Sequence, residues 1–202
     1  MKKTFVDLFA GLGGASQAFY EHHEWDVIRI DNKEFLLEHT QGLTICDLSD
    51  TERAISMISN LIGSRMADDT LVIWASPPCQ QYSFANSQRS PDDFDHTLVL
   101  AALEIIEHFR PDAWIIENVK GAIEDFNEIV GHPWRQRINA FYLWGEFGLL
   151  AFKDVADTEH KKLDSKGSRL LRPNMRGKVP YPVSLALLNV FEHQRTLLDW
   201  ME

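Results

Sequence analysis

Cysteine is nearly absent from this chain. Only Cys46 and Cys79 occur in 202 residues, too few for a disulfide framework and in keeping with a reducing compartment. No C-x-x-C pair exists. None of the eight histidines stands at helical ligand spacing with a cysteine or a second histidine, and no metal site is expected. Long hydrophobic runs are missing too, and nothing approaches the roughly 18 uninterrupted apolar residues of a membrane span. The opening MKKTFVDLFAGLGG pairs two lysines with apolar residues, but Asp7 interrupts the run. It reads as a strand entering a turn, not as a signal peptide, and the expected location is the cytoplasm. Positive charge is scarce: 20 basic residues face 30 acidic ones, a net charge of −10, which argues against indiscriminate attraction to polyanions.

What is present suits one globular domain spanning residues 1–202, with 45% apolar and 25% charged residues. Short apolar runs alternate with helical patterns. Strands are expected at TFVDLFA (4–10), DVIRID (26–31), TICDL (44–48), TLVIWAS (70–76), DAWIIEN (112–118) and NAFYLWGEF (139–147). Helices are expected at 50–62, capped by Ser49 or Asp50, at 96–109, and from about Ser184 to Asp199. This alternation implies an α/β fold, a mostly parallel sheet with helices on both faces. Ligands in such sheets bind beyond the carboxyl ends of the strands, where strand order reverses. Three distinctive groups fall at those ends: the glycines of 11–14, the Pro77–Gln80 corner, and Glu117–Asn118. A sheet wound outward from its first strand would bring all three to one crevice.

Each group has its own chemistry. The turn DLFAGLGG has Ser16 where a dinucleotide fingerprint needs glycine, and it lacks the lysine of a P-loop. With Asp7 upstream, it suits a cofactor with a cationic centre better than one with phosphates; a plain tight turn is the alternative. Asp31 and Asp47, at strand ends, suit a ribose diol and an adenine amine, or simple helix capping. Cys79 follows two prolines that stiffen the backbone and remove two N–H groups, so its thiol is placed rather than merely packed. Glu117 closes an apolar strand, where a carboxylate is costly unless it is paired or holds a proton. A thiol and a proton-donating carboxyl in one crevice suit addition to an electron-poor heteroaromatic ring.

Together DLFAGLGG, PPCQQYS and ENV, in this order and on these strands, resemble the cytosine-C5 DNA methyltransferase family, in particular its short, minimal, phage-type members. The likeness covers roughly residues 4–150. It implies a Rossmann-like methyltransferase fold and S-adenosylmethionine as cofactor. Phe9, Gly11, Leu12 and Gly14 would wrap the cofactor's methionine and ribose, and Asp31 would bind the ribose hydroxyls. Asn32, Asp47 and Leu48 would meet the adenine, with Pro77 packed alongside. Cys79 would add to C6 of cytosine, Glu117 would hold N3, and the methyl group would pass to C5. A target in duplex DNA would first be flipped out of the stack.

The chain also departs from the pattern. In place of Q-x-R-x-R it has WRQRINAF, so Arg137, or Arg135, is expected at the cytosine O2. The C-terminal G-N-S-V is missing, and Ser184 is expected to serve the cofactor instead. A short basic insertion at 151–180 stands where a large target-recognition region is usual, so the expected specificity is short or supplied by a protein partner. Its strip SKGSRLLRPNMRGK (165–178) has five basic residues and no acidic one. Lys166, Arg169, Arg172, Arg176 and Lys178 are therefore candidate DNA contacts, joined by Gln80, Ser83 and Arg89 after the nucleophile. RNA as substrate and a non-catalytic, cofactor-binding subunit are the alternative readings.

Overall fold

The computed structural model describes residues 1–88, 90, 93–151 and 171–192. A seven-stranded sheet forms its middle layer: β1 (Lys3–Leu8), β2 (Trp25–Asp31), β3 (Leu43–Ile45), β4 (Thr70–Ala75), β5 (Ala113–Asn118), β6 (Gln136–Ile138) and β7 (Phe141–Glu146). Their order is β3-β2-β1-β4-β5-β7-β6. The first five strands are parallel, and β7 runs antiparallel to β5 and to β6. The chain therefore winds outward from β1 in both directions, and the reversal lies between β1 and β4.

Among the described residues six α-helices flank the sheet: α1 (Gln17–Glu21), α2 (Thr51–Ile62), α3 (Thr97–Phe109), α4 (Ile123–Val130), α5 (Arg172–Arg176) and α6 (Tyr181–Glu192). Successive strand residues point to opposite faces, and both faces are covered. Val6, Ile28, Ile73 and Ile116 pack with Ile58 of α2, Ile105 of α3 and Phe126 of α4. Phe5, Val72, Trp74 and Ile115 pack on the other side with Phe19 of α1 and Leu187 of α6. This two-sided burial is why the central strands read as continuous apolar runs. Asp50 is the cap of α2, its Oδ1 accepting from the Arg53 N–H at 3.1 Å. The far end of α6 is fixed by Glu192, which accepts from Lys3 Nζ at 3.0 Å and from the Trp25 indole at 2.7 Å.

Several boundaries differ from the sequence expectation; the third strand, expected over 44–48, is Leu43–Ile45. The first strand stops at Leu8, because Phe9 adopts a positive φ of 59° and turns the chain. The expected strand at 139–147 is the second arm of a hairpin, with β6 before it and Asn139 at φ 52° in the bend. The last helix starts at Tyr181, one turn earlier than expected; its expected continuation over 193–199 lies outside the described residues. No helix among them is long and apolar enough to cross a membrane.

Candidate functional site

One cavity of about 840 Å³ opens at the carboxyl ends of β1 to β5. The glycine turn after β1, the Pro77–Gln80 corner after β4 and Glu117 at the end of β5 all line it. So do Phe9, Gly11, Leu12, Gly14, Asp31, Asn32, Asp47, Leu48 and Pro77. The strand order makes this possible: β1 pairs with β4, and β4 with β5, in parallel register. Groups some 70 and 40 residues apart in sequence thus come to one wall.

The nucleophile candidate sits on a fixed turn. The backbone N–H groups of Tyr82 and Ser83 donate to the Cys79 carbonyl at 3.1 and 3.0 Å. Asn118, fully buried, donates from Nδ2 to the Pro77 carbonyl at 3.0 Å. That bond ties the proline corner to the strand that carries Glu117. Gln81 exchanges two hydrogen bonds with the backbone of Asp95, closing the loop that follows. Burial raises the pKa of the Cys79 thiol, and the nearby Glu117 carboxylate raises it further. The resting group is therefore a thiol, held where an anion is disfavoured.

Glu117 is 7% exposed, and burial pushes its pKa up to about 7, against a lowering hydrogen bond from Ser76. The Trp74 indole N–H donates to Ser76 Oγ at 2.8 Å. An indole only donates, so the serine hydrogen is left to point to Glu117. The carboxyl oxygen it meets accepts, and the proton of a neutral Glu117 falls on the other oxygen. Such an acid, buried and close to half-protonated near neutrality, can give or withhold a proton.

The other end of the cavity is lined by carboxylates. Asp31 accepts from the Gly11 N–H at 3.0 Å and from the Lys33 N–H at 3.1 Å, one bond to each oxygen. Each oxygen keeps a lone pair, enough to receive hydroxyl donors. Asp47 accepts from the backbone and hydroxyl of Ser49 at 3.0 and 2.8 Å, which holds its pKa below the usual range.

Some expected residues stand elsewhere. Arg137 is exposed and not on the cavity wall; its Nε donates to the Asn139 carbonyl at 2.8 Å. The hairpin instead brings Asn139, Ala140 and Phe141 to the wall. Arg135 is also exposed, its guanidinium 5.7 Å from the Phe147 ring. Ser184 lies behind the glycine turn, where its Oγ donates to the Ala15 carbonyl at 2.6 Å and accepts from the Ala18 N–H at 3.0 Å. It docks α6 on α1. Of the described C-terminal residues, those of α5 and just after it, between Arg172 and Val179, reach the cavity.

Thus Arg172, Arg176 and Lys178 of the basic strip line the cavity, as do Gln80 and Ser83. Arg89, Lys166 and Arg169 lie outside the described residues. A Cβ on Gly14 would meet the Val179 nitrogen at 2.7 Å and its carbonyl oxygen closer still. Gly14 thus admits the backbone of this C-terminal segment as well as facing the cavity. Sequence reasoning gave no role to Ser76 or Asn174, and it placed Asn118 at the crevice without its bond to Pro77. Ser76 sits between Trp74 of β4 and Glu117 of β5, a pairing that sequence does not show.

A family model described as C-5 cytosine-specific DNA methylase matches residues 3–141. Type II methyltransferase M.AquIA of Picosynechococcus sp. is 29% identical over 128 residues, which cover 61% of this chain and 51% of the relative. Type II methyltransferase M.HpaII of Haemophilus parainfluenzae is 29% identical over 127 residues, covering 59% and 32%. The chain thus spans about half the length, or less, of these relatives. A solved methyltransferase of Entamoeba histolytica, EhMeth, superposes with a TM-score of 0.51 at 17% identity, over 76% of this chain and 55% of that one. That likeness is one of fold.

Proposed function

This chain belongs to the C-5 cytosine-specific DNA methylase family, and on that premise we propose that its cavity transfers a methyl group from S-adenosylmethionine to C5 of cytosine in DNA. The observation that carries the reading is the shared wall: Cys79, Glu117 and the glycine turn face one cavity. The residues present fit the donor. Asp31 offers free lone pairs to ribose hydroxyls, Asp47 and Leu48 flank the place for the adenine, and Phe9 and Leu12 offer apolar contact. When bound, the donor supplies an electrophilic methyl group on a sulfonium.

The chain's own residues do the rest. Cys79 Sγ gives up its proton to solvent water and bonds to C6 of the cytosine, while Glu117 gives a proton to N3 so that no negative charge builds on the ring. The ring electrons then reach C5, which takes the methyl group. Loss of the C5 proton to water, return of the N3 proton to Glu117 and expulsion of the Cys79 sulfur as thiolate restore the aromatic ring. Covalent addition splits one hard step into easier ones. The two residues are coupled usefully. An ionised Glu117 raises the pKa of the thiol, so a Glu117 that holds its proton against N3 removes a like charge from beside the forming thiolate. The rigid corner keeps the sulfur at attack distance, about 3–3.5 Å from the ring carbon. Gln80, Ser83, Arg172, Arg176 and Lys178 are the proposed nucleic-acid contacts among the described residues. Phosphate contacts of this kind position a strand without choosing its sequence.

The test is a covalent trap. DNA with 5-fluorocytosine cannot lose its C5 substituent as a proton, so an active site stalls as a protein–DNA adduct. With S-adenosylmethionine the wild-type protein is expected to form an adduct that survives denaturation, and Cys79→Ala none. Adducts on matched RNA but not on DNA would move the substrate to RNA. Donor binding without any adduct would leave a cofactor-binding subunit and sink the catalytic reading.

A further inference from the structure

Asp7 has no part in the steps above, yet it lines the cavity and is 1% exposed. Its Oδ2 accepts from Ser16 Oγ at 2.6 Å, and Arg29 Nε donates to the same Ser16 Oγ at 2.8 Å. A guanidinium only donates. Ser16 therefore accepts from Arg29 and gives its own hydrogen to Asp7, the nearer of its two acceptors, the Gly13 carbonyl being 3.3 Å away, so the chain runs toward Asp7. The other Arg29 donors are turned away from the cavity: Nη1 to the Gln41 carbonyl at 2.9 Å and Nη2 to Gln17 Oε1 at 3.3 Å. Its guanidinium carbon lies 4.3 Å from the centre of the Tyr20 ring. The buried pair is thus polarised, with its negative end at the cavity wall and its positive end behind the glycine turn. A Cβ on Gly13 would come within 2.8 Å of Arg29 Nε, so the turn closes on the guanidinium only as glycine. Burial raises the Asp7 carboxyl to about 6, with Ser16 and Arg29 opposing the rise and Asp31 adding to it. At neutral pH it is mostly ionised.

Its place in the sheet gives this charge a use. Asp7 is in register with Arg29 on β2 and with Trp74 on β4. The donor-side groups, Asp31 and Asp47, follow β2 and β3; the acceptor-side groups, Cys79 and Glu117, lie at the ends of β4 and β5. The transferred carbon must cross between these halves, over the end of β1. The carboxylate that β1 brings to the cavity wall is Asp7. A buried carboxylate acts there through a lower dielectric than water, so its field on a nearby cation is strong.

We propose that Asp7, held by Ser16 and Arg29, is the counter-ion by which the site selects the sulfonium methyl donor over its demethylated thioether product. The inference rests on the donor assignment above. The donor carries a positive charge on sulfur that the product lacks, and the two are otherwise alike apart from the methyl group. Transfer therefore removes the attraction to Asp7 and favours release of the product. The attraction acts on the ground state, so it governs KM for the donor and product inhibition more than the rate of the chemical step.

The test is a titration of the full chain, without DNA, with three ligands: S-adenosylmethionine, S-adenosylhomocysteine, and the isostere in which a protonated amine replaces the sulfonium. Wild-type protein is expected to bind both cationic ligands more tightly than the thioether. In Asp7→Asn the preference is expected to fall by about tenfold, mostly through weaker cation binding, with the thioether affinity nearly unchanged. Ser16→Ala keeps the carboxylate but removes its fixed donor; it is expected to lose part of the preference and supplies the result if Asp7→Asn does not fold. An unchanged ratio in both variants, or equal losses for all three ligands, overturns the counter-ion role while leaving the donor assignment standing. If none of the three ligands binds the wild-type protein, the donor assignment falls and takes this inference with it.

Discussion

At the scale of single residues, two buried carboxyls on one cavity are built alike and tuned apart. Each is met by a serine, and each serine is met from behind by a group that can only donate: Arg29 behind Ser16 for Asp7, Trp74 behind Ser76 for Glu117. The cation behind Asp7 favours its ionised form, and Asp7 titrates at about 6. The neutral indole behind Glu117 adds no such charge, and Glu117 titrates at about 7. The apolar strand pointed to a proton on Glu117, but neither serine relay is visible in sequence, because nothing beside Ser16 or Ser76 shows what it bonds. Ser76→Ala tests the second relay. A donor to a carboxylate favours the ionised form, so its loss is expected to raise the Glu117 pKa above about 7. The protonated acid then persists to higher pH, and the alkaline limb of the methylation rate moves upward. The pH–rate profile reads this, as does the carboxyl infrared band taken as a difference against Glu117→Gln. A downward move, or none, would remove Ser76 from this role.

At the scale of elements, the C-terminal segment is what the motifs did not foretell. The strip of basic residues reads as a surface for phosphates, yet its described part lines the cavity beside the glycine turn. Asn174 Nδ2 would lie 3.4 Å from a Cβ on Gly11, in contact with the glycine turn. Packing of α5 and the residues after it depends on Gly14, whose missing Cβ makes room for the Val179 backbone. Gly14→Ala is expected to cost about 1–3 kcal/mol as an overpacking change and to weaken donor binding, because the segment cannot seat. Urea unfolding gives the first and a donor titration the second. Full stability with full binding would mean that the segment is not part of the pocket. The hairpin of β6 and β7 also went unread as a pair. β6 is three residues long, within a run rich in arginine, and short strands with exposed charges carry little pattern.

At the scale of the whole molecule, the site costs stability. Glu117 is raised from 4.5 to about 7, with burial as the main cause. The unfolded chain ionises this group first, so its contribution is neutral at low pH. It becomes unfavourable as pH rises from about 4.5 through about 7. The full cost above that range is about 3 kcal/mol. Asp7, raised from 3.8 to about 6, adds a cost of the same sign over a lower window. Glu117→Gln keeps the shape and removes the titration. It is expected to be more stable than wild type at pH 8 by up to about 3 kcal/mol, with the gap closing as pH falls toward 4.5. Denaturant unfolding at a series of pH values measures this. A gap that widened in acid would reverse the sign and refute the burial account of Glu117. That a conservative change can stabilise the fold while removing the acid is the usual trade between stability and function.

The alternation of apolar runs with helical segments was enough to specify an α/β fold with strands buried on both faces. The strand-end positions of DLFAGLGG, PPCQ and ENV told which groups could share a ligand. Those readings succeed because burial, turn chemistry and backbone stiffness act between neighbours along the chain. Tertiary structure alone decided that β4 lies against β1 and β5 against β4, which makes three motifs into one wall. It also turned Arg137 back onto Asn139, made Ser184 a latch between α1 and α6, and set Arg29 behind Asp7. Each of these depends on hydrogen-bond partners, some from strands or helices far away in sequence. Direction and register, on which such bonds depend, exist only once the sheet has formed.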